Sequence, residues 1–236
     1  MEAAKRVAVV VGSSRPTRIC PGIAAWIQQA LQESRSPAVV RSVRYELLDL
    51  AEVNLPFLDE PLIPALGEYQ HAHTKAWSQT VSGYDGFIFV FPQYNWGYPA
   101  ILKNALDFLF NEWADKPVSF ATYGTRGGNR AAKQLQSVLA GLHMRELHDH
   151  LEIVITINDV DSQWQVKDLD AVLGPYRDQL GRIAGQMAQA LDVQGADGLA
   201  VTRGLRAVIV AWRRARIHAT ALPRPWRRLR QHLARP

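Results

Sequence analysis

Along this chain, short unbroken apolar runs alternate with longer stretches in which apolar residues recur every three or four positions. Val7 to Val11 is the first run, and it breaks at Gly12-Ser13-Ser14 before the periodic stretch Pro21 to Leu31. A continuous β-rich run of that length predicts a strand buried on both faces, and the periodic stretch predicts an amphipathic helix. Tyr45 to Leu50 then predicts a second strand and Tyr69 to Val81 a second helix, joined through the proline-rich segment Pro56 to Pro64. Gly86 to Phe91 is the strongest buried-strand pattern in the chain, and a helix is expected from Pro99 to about Phe110. Val118 to Tyr123 with Arg130 to Leu142, and Leu151 to Ile157 with Leu169 to Leu191, complete five strand–helix units. Right-handed crossovers between parallel strands place helices on both faces, so an α/β sandwich around a five-stranded parallel sheet is expected. No internal repeat interrupts the pattern. In such sheets ligands sit beyond the carboxyl ends of the strands, which directs attention to the loops after the first, third and fourth strands.

Composition supports a packed body. Of 236 residues, 47% are hydrophobic and 21% charged, ordinary globular values that exclude wholesale disorder. The length favours one domain with an appendage. No apolar run approaches the roughly 18 residues of a membrane span, and the five residues from Val7 are too few for a signal-peptide core, so a cytoplasmic location is expected. Cys20 is the only cysteine, which rules out an intramolecular disulfide and a cysteine-rich metal site.

Charge divides the chain in two. The formal net charge of +5 combines −5 over residues 1–197 with +10 over residues 198–236, where ten arginines stand with no acid. We therefore expect a domain over 1–197 and a basic C-terminal extension over 198–236. In that extension Leu205, Val208, Ile209 and Trp212, and then Trp226, Leu229 and Leu233, are spaced for a helical face. Such a segment reads either as a loosely ordered extension or as an arm whose arginines contact an anionic surface. No recognised module surrounds them, so no specific nucleic-acid binding is expected.

The loop Gly12 to Arg18 gathers hydroxyls and two guanidinium groups ahead of a helix. That set suits a phosphomonoester, although serines and arginines also cap helix starts for structural reasons alone. Its spacing matches neither the dinucleotide nor the nucleoside-triphosphate glycine motif. In the loop Pro92-Gln93-Tyr94-Asn95-Trp96-Gly97-Tyr98-Pro99, three aromatic rings and two carboxamides follow the most apolar strand. They suit a flat heterocycle with a polar edge, or else form a hydrophobic cluster at a subunit contact. The third loop, Tyr123 to Arg130, has three glycines that permit close backbone approach or merely a flexible turn. Together the loops describe a phosphate pocket beside a slot for a planar ring, which points to flavin mononucleotide. Cys20 lacks the arginine spacing of a phosphatase loop and reads as a small buried thiol. His148 and His150 offer two imidazoles with no apparent third ligand, so no metal is expected.

These residues carry a resemblance. Gly12 to Arg15, the run from Pro92 to Asp107, and Tyr123-Gly124 with Gly127-Gly128 resemble the NADPH-dependent FMN reductase family, its quinone-reductase branch most of all, over roughly residues 5–192. The resemblance implies a flavodoxin-like three-layer fold with strand order 2-1-3-4-5, bound FMN, and a homodimer or homotetramer. By position it implies that Ser13, Arg15, Thr17 and Arg18 hold the phosphate, that Pro92, Gln93, Tyr94, Asn95 and Trp96 line the ribityl chain and ring, and that Tyr123, Gly124 and Thr125 close the other side. The implied activity is two-electron, ping-pong transfer from NADPH or NADH to a quinone, free flavin or similar small acceptor. Two rivals remain, a reductase supplying reduced FMN to a monooxygenase and a flavodoxin-like electron carrier without turnover. The flavin N5 takes the hydride, so no catalytic side chain is named. Arg126 and Tyr98 are candidates for the nicotinamide or substrate. Two departures from the branch stand out: Thr125-Arg126 replaces its frequent Gly-His, and residues 198–236 have no counterpart.

Overall fold

A computed structural model describes residues 4–34 and 43–197. The chain runs β1 (Lys5–Val11), α1 (Cys20–Gln32), β2 (Val43–Asp49), α2 (Leu50–Val53), α3 (Ala72–Ser82), β3 (Gly86–Pro92), α4 (Ala100–Asp107), β4 (Pro117–Gly124), α5 (Asn129–Gly141), β5 (Arg145–Glu146), β6 (Leu151–Val154), α6 (Leu169–Leu173) and α7 (Arg177–Asp197), with short 3-10 turns between some of them. The extension and its expected helical faces lie outside the described residues.

All strand pairings in the sheet are parallel, in the order β2-β1-β3-β4, with β5 and β6 sharing the far edge of β4. Val9 stands beside Leu47 on one side and Ile88 on the other, and Phe89 stands beside Phe120. Strand geometry sends alternate side chains to opposite faces. Val7, Val9, Val11, Ile88 and Val90 therefore pack under α1 and α7, while Ala8, Val10, Phe87, Phe89 and Phe91 pack under α3, α4 and α5. Both faces being buried, the central strands are apolar at nearly every position, which is the pattern seen in the sequence. This is the expected three-layer, flavodoxin-like fold. Among the described residues no helix is long and apolar enough to cross a membrane.

Three elements differ from expectation, each for a local reason. The stretch from Leu169 is not one helix, because Pro175 has no N–H to donate and the chain passes through a 3-10 turn at Gly174–Tyr176 before α7 begins. The last strand stops at Val154, since Thr156 opens a capping box in which the Asp159 carboxylate accepts from the Thr156 amide at 2.7 Å. The fifth sheet position is split in two around a bulge at 147–150. Ser119 donates its hydroxyl to the Asp149 carbonyl at 2.7 Å, and Gln186 of α7 accepts from the Asp149 amide at 3.1 Å while donating to its carboxylate at 2.6 Å. Side chains thus satisfy the backbone where the ladder is interrupted.

Candidate functional site

The three loops meet at the carboxyl ends of β1, β3 and β4. After β1, the Gly12 amide donates to the Val90 carbonyl at 2.8 Å. A Cβ at Gly12 would stand 3.0 Å from that carbonyl oxygen and 3.1 Å from the Phe91 Cβ, so a side chain does not fit without movement. Ser13 is fully buried, and its hydroxyl lies 3.1 Å from that of Tyr94. Ser14, Arg15, Pro16 and Thr17 are exposed. No hydrogen bond or ion pair engages the Arg15 guanidinium among the described residues. Helix α1 starts without a side-chain cap and has Pro21 in its first turn.

Arg18 is different. Its Nη2 donates to the Asp49 carboxylate at 2.6 Å, both side chains are largely buried, and Asp49 also caps α2 by accepting from the Ala51 amide. The guanidinium therefore braces the loop against the end of β2, and its buried Nε has no partner. Cys20, beneath the same loop, donates its thiol to the Val90 carbonyl at 3.1 Å. Burial pushes that thiol up to about 12.

Beyond β3, Pro92 pairs with Tyr123 as the last residue of the strand. Tyr94 and Gly97 exchange backbone hydrogen bonds of 2.8 and 2.9 Å, and the two residues between them are left-handed, Asn95 at φ 48° and Trp96 at φ 71°. This is a mirror-image hairpin turn, usually built from Asn-Gly, with tryptophan where glycine is preferred. Such a conformation costs a non-glycine residue on the order of 1 kcal/mol or more. Arg130 lies against it, the guanidinium carbon 3.6 Å from the Trp96 ring centroid. Gln93 turns away from solvent to cap the next helix, its carboxamide oxygen accepting from the Arg130 and Ala131 amides at 3.1 and 3.2 Å. Tyr98 packs edge-on against Phe91.

The third loop is shaped by glycine. Gly127 and Gly128 have φ of 70° and 78°, and a Cβ on Gly128 would stand 2.2 Å from the Thr122 hydroxyl oxygen. Thr125 and Arg126 are exposed, whereas Tyr123 points into the core under α1, where it interacts with the Cys20 thiol and burial raises its hydroxyl far above the usual range. Its backbone, rather than its ring, faces the second loop, the Gln93 amide donating to the Tyr123 carbonyl at 2.9 Å.

A cavity of about 680 Å³ opens between the first two loops, a size ordinary for a cofactor. Of the residues expected at the site, Arg15, Gln93, Tyr94 and Asn95 line it. Ser13 lies buried beneath, and the other expected residues stand outside the lining. Ser14 of the first loop also lines it, as do Pro99, Ala100 and Ile101, whose contribution comes from where α4 begins and not from their chemistry. Ser14, Ala100 and Ile101 are shared with a neighbouring cavity of about 530 Å³ that reaches Pro56 and the exposed Phe57. Asn104 ties that proline-rich segment to α4, donating to the Pro56 carbonyl at 2.7 Å and accepting from the Leu58 amide at 3.0 Å. His150 stacks on Phe120 at 4.5 Å and stands 3.5 Å from Glu152, a packing role at the sheet edge.

Fold and site together define a flavodoxin-like α/β protein with a hydroxyl- and arginine-bearing loop beside an aromatic turn. Residues 5–154 match the family described as NADPH-dependent FMN reductase. Over 142 residues the chain is 44% identical to an NAD(P)H-dependent FMN reductase of Schizosaccharomyces pombe, covering 59% of this chain and 68% of that one. It is 41% identical over 145 residues to an NAD(P)H-dependent FMN reductase of Saccharomyces cerevisiae, covering 59% and 75%. An NADPH:quinone oxidoreductase of Arabidopsis thaliana is 32% identical over 137 residues, covering 56% and 65%. Among solved structures, the flavoenzyme FerB of Paracoccus denitrificans superposes with a TM-score of 0.58 at 20% identity, over 80% of this chain and 98% of that one, and so shares the fold. The chain belongs to the NADPH-dependent FMN reductase family.

Proposed function

We infer that this protein is an FMN-dependent NAD(P)H oxidoreductase that passes two electrons to a quinone, free flavin or similar small acceptor. The observation that carries this reading is the cavity itself. The Ser14 hydroxyl and the Arg15 guanidinium, which has no partner among the described residues, line one end, and the turn that carries Tyr94 and the Asn95 carboxamide lines the other. That donor set fits FMN. Bound there, FMN supplies hydride acceptance from the nicotinamide and two-electron donation to the acceptor.

The chain's own residues bind and orient. Ser13, Arg15 and Thr17, with the first amides of α1, neutralise and hydrogen-bond the phosphate. Arg18 shapes this loop through Asp49, and Ser13 fixes Tyr94 from below. Tyr94, Asn95 and Trp96 line the ribityl chain and ring, while Gln93 holds their loop to α5. Pro92, the Tyr123 and Gly124 backbone and Thr125 bound the far side, with Tyr98 beside the acceptor. Residues 1–197 form this reductase domain, and 198–236 form the basic extension. We place the protein in the cytoplasm, and the exposed Phe57, Ile63 and Trp96 support its assembly as a homodimer or homotetramer.

The test is the visible absorption spectrum of the purified full chain before and after anaerobic NADPH, with the released chromophore identified by mass. FMN that bleaches rapidly and is reoxidised by a quinone supports the reading. Release of reduced FMN with poor quinone turnover would favour supply to a monooxygenase, and slow reduction by both nicotinamides would favour an electron carrier. A chain that takes up no FMN overturns it.

A further inference from the structure

Every strand of the sheet and every residue lining the cavity lies within residues 5–154, the span that matches the family. The extension over 198–236 lies outside the described residues, and the reductase reading draws on none of it. Its sequence is nonetheless specific. All ten of its basic residues are arginine and no acid offsets them, whereas the chain's six lysines all lie in residues 1–197. In a helical register of about 3.6 residues per turn, Leu205, Val208, Ile209 and Trp212 share one side, and Arg203, Arg206 and Arg214 fall off it. After Pro223 and Pro225 a second set repeats the pattern, with Trp226, Leu229 and Leu233 on one side and Arg227 and Arg228 off it.

Charge and apolar spacing are independent properties, and both point to one partner. A planar guanidinium fork matches phosphate oxygens better than an ammonium does, which suits an all-arginine segment to a phosphate-bearing surface. The apolar sides need a hydrocarbon boundary. Nucleic-acid phosphates give Leu, Val and Ile nothing to be buried against, whereas an amphipathic basic segment with tryptophan on its apolar side suits the headgroup and acyl boundary of a bilayer. Arg216 falls on the first apolar side one turn beyond Trp212, where its stem can lie along that boundary while its head returns to the phosphates. Residues 1–197 carry −5 and are repelled by an anionic surface, so the attraction has to come from the extension. The membrane leaflet that faces the cytoplasm is the anionic one.

We propose that residues 198–236 bind the surface of an anionic lipid bilayer, their arginines on the lipid phosphates and their Trp, Leu, Val and Ile side chains in the acyl boundary, and so hold the domain at membranes. The test is cosedimentation of the full-length protein with vesicles of phosphatidylcholine alone or with about a third phosphatidylserine. The wild type should partition at least about tenfold more strongly to the anionic vesicles, since each arginine near such a surface adds about fivefold, and should lose part of this in high salt as screening shortens the reach of charge. Replacing Arg213, Arg214, Arg227 and Arg228 together by Gln should remove the preference for anionic lipid. Ile209→Ser, Trp212→Ser and Trp226→Ser together should leave the low-salt attraction and abolish what survives high salt. Both variants should keep the wild-type melting temperature. A wild type that binds neutral and anionic vesicles alike, variants that bind as the wild type does, or a single-stranded RNA that displaces the protein from vesicles at equal phosphate concentration overturns the proposal. FMN uptake, read by absorbance, reports on the reductase reading, on which this binding does not depend.

Discussion

Replacing Gly128 by alanine would test whether the third loop is built on glycine for geometric reasons. At φ 78° an alanine meets the left-handed penalty, about 1–2 kcal/mol. Its Cβ would also stand 2.2 Å from the Thr122 Oγ1, 3.1 Å from its Cγ2 and 3.2 Å from its Cβ, and Thr122 is fully buried on β4. Relieving such an overlap inside a packed sheet costs about 1–3 kcal/mol more. The expected loss is about 3 kcal/mol, which for a domain of this size lowers the melting temperature by roughly 6–12 °C. Thr122→Ala in the same chain removes the two nearer clashing atoms, so the double variant should recover the steric part and retain the backbone part. Gly181→Ala is the internal control. It lies within α7 with no neighbouring atom within 4 Å of the added methyl group, and should stabilise by about 0.5–1 kcal/mol through helix propensity. Thermal melts followed by circular dichroism read all four chains. A Gly128→Ala protein melting within 2 °C of wild type, about the shift of 1 kcal/mol or less, would refute the reasoning.

Gln93→Ala should destabilise by about 1–2 kcal/mol and speed hydrogen exchange at the Arg130 and Ala131 amides, since it removes the acceptor that caps α5; Gln93→Glu, which keeps that oxygen, should not, and equal exchange in all three would discount the cap. Cys20 should resist a colourimetric thiol reagent at pH 8 in the native protein and react on denaturation, because burial pushes its thiol up to about 12; rapid native labelling would contradict this. Burial lowers Lys116 to about 8 while its ammonium donates to the Val81 carbonyl. An unfolded lysine titrates near 10.4, so between about 8 and 10.4 the unfolded chain binds more protons and native stability rises with pH. Lys116→Met should therefore be more stable than wild type by about 1–2 kcal/mol at pH 7, an advantage that vanishes above about pH 10.5. Urea melts at both pH values check it, and a pH-independent difference would exclude burial as the cause.

The strands and the layer order were legible in the chain because their cause is local and periodic. Val7 to Val11 and Gly86 to Phe91 are apolar at every position but glycine, as strands covered on both faces must be, and parallel strands with short connections allow few topologies. The three loops at the carboxyl edge of the sheet were legible for a related reason, since they fall where apolar runs end, and the run Pro92 to Asp107 is specific enough to carry a family resemblance. Breaks set by one proline or one capping pair, such as Pro175 and Thr156 with Asp159, were missed inside longer periodic stretches.

The part played by each polar side chain was decided only in three dimensions. Sequence offered Arg15 and Arg18 as equals, yet Asp49, thirty-one residues from Arg18, engages one and leaves the other free. Gln93 had the chemistry of a ring contact, and besides lining the cavity it caps a helix that begins thirty-six residues later. Tyr123 and Trp96 are both aromatic residues where an apolar run gives way to a loop, but Tyr123 ends up on β4 with its ring in the core beneath α1, while Trp96 is held outside on Arg130. Hydrophobic pattern is a property of neighbours along the chain, so the sequence by itself determined where strands, helices and loops would fall. Hydrogen bonds and ion pairs are completed by whichever partner the folded backbone brings within about 3 Å, and those partners come from other elements of the sheet.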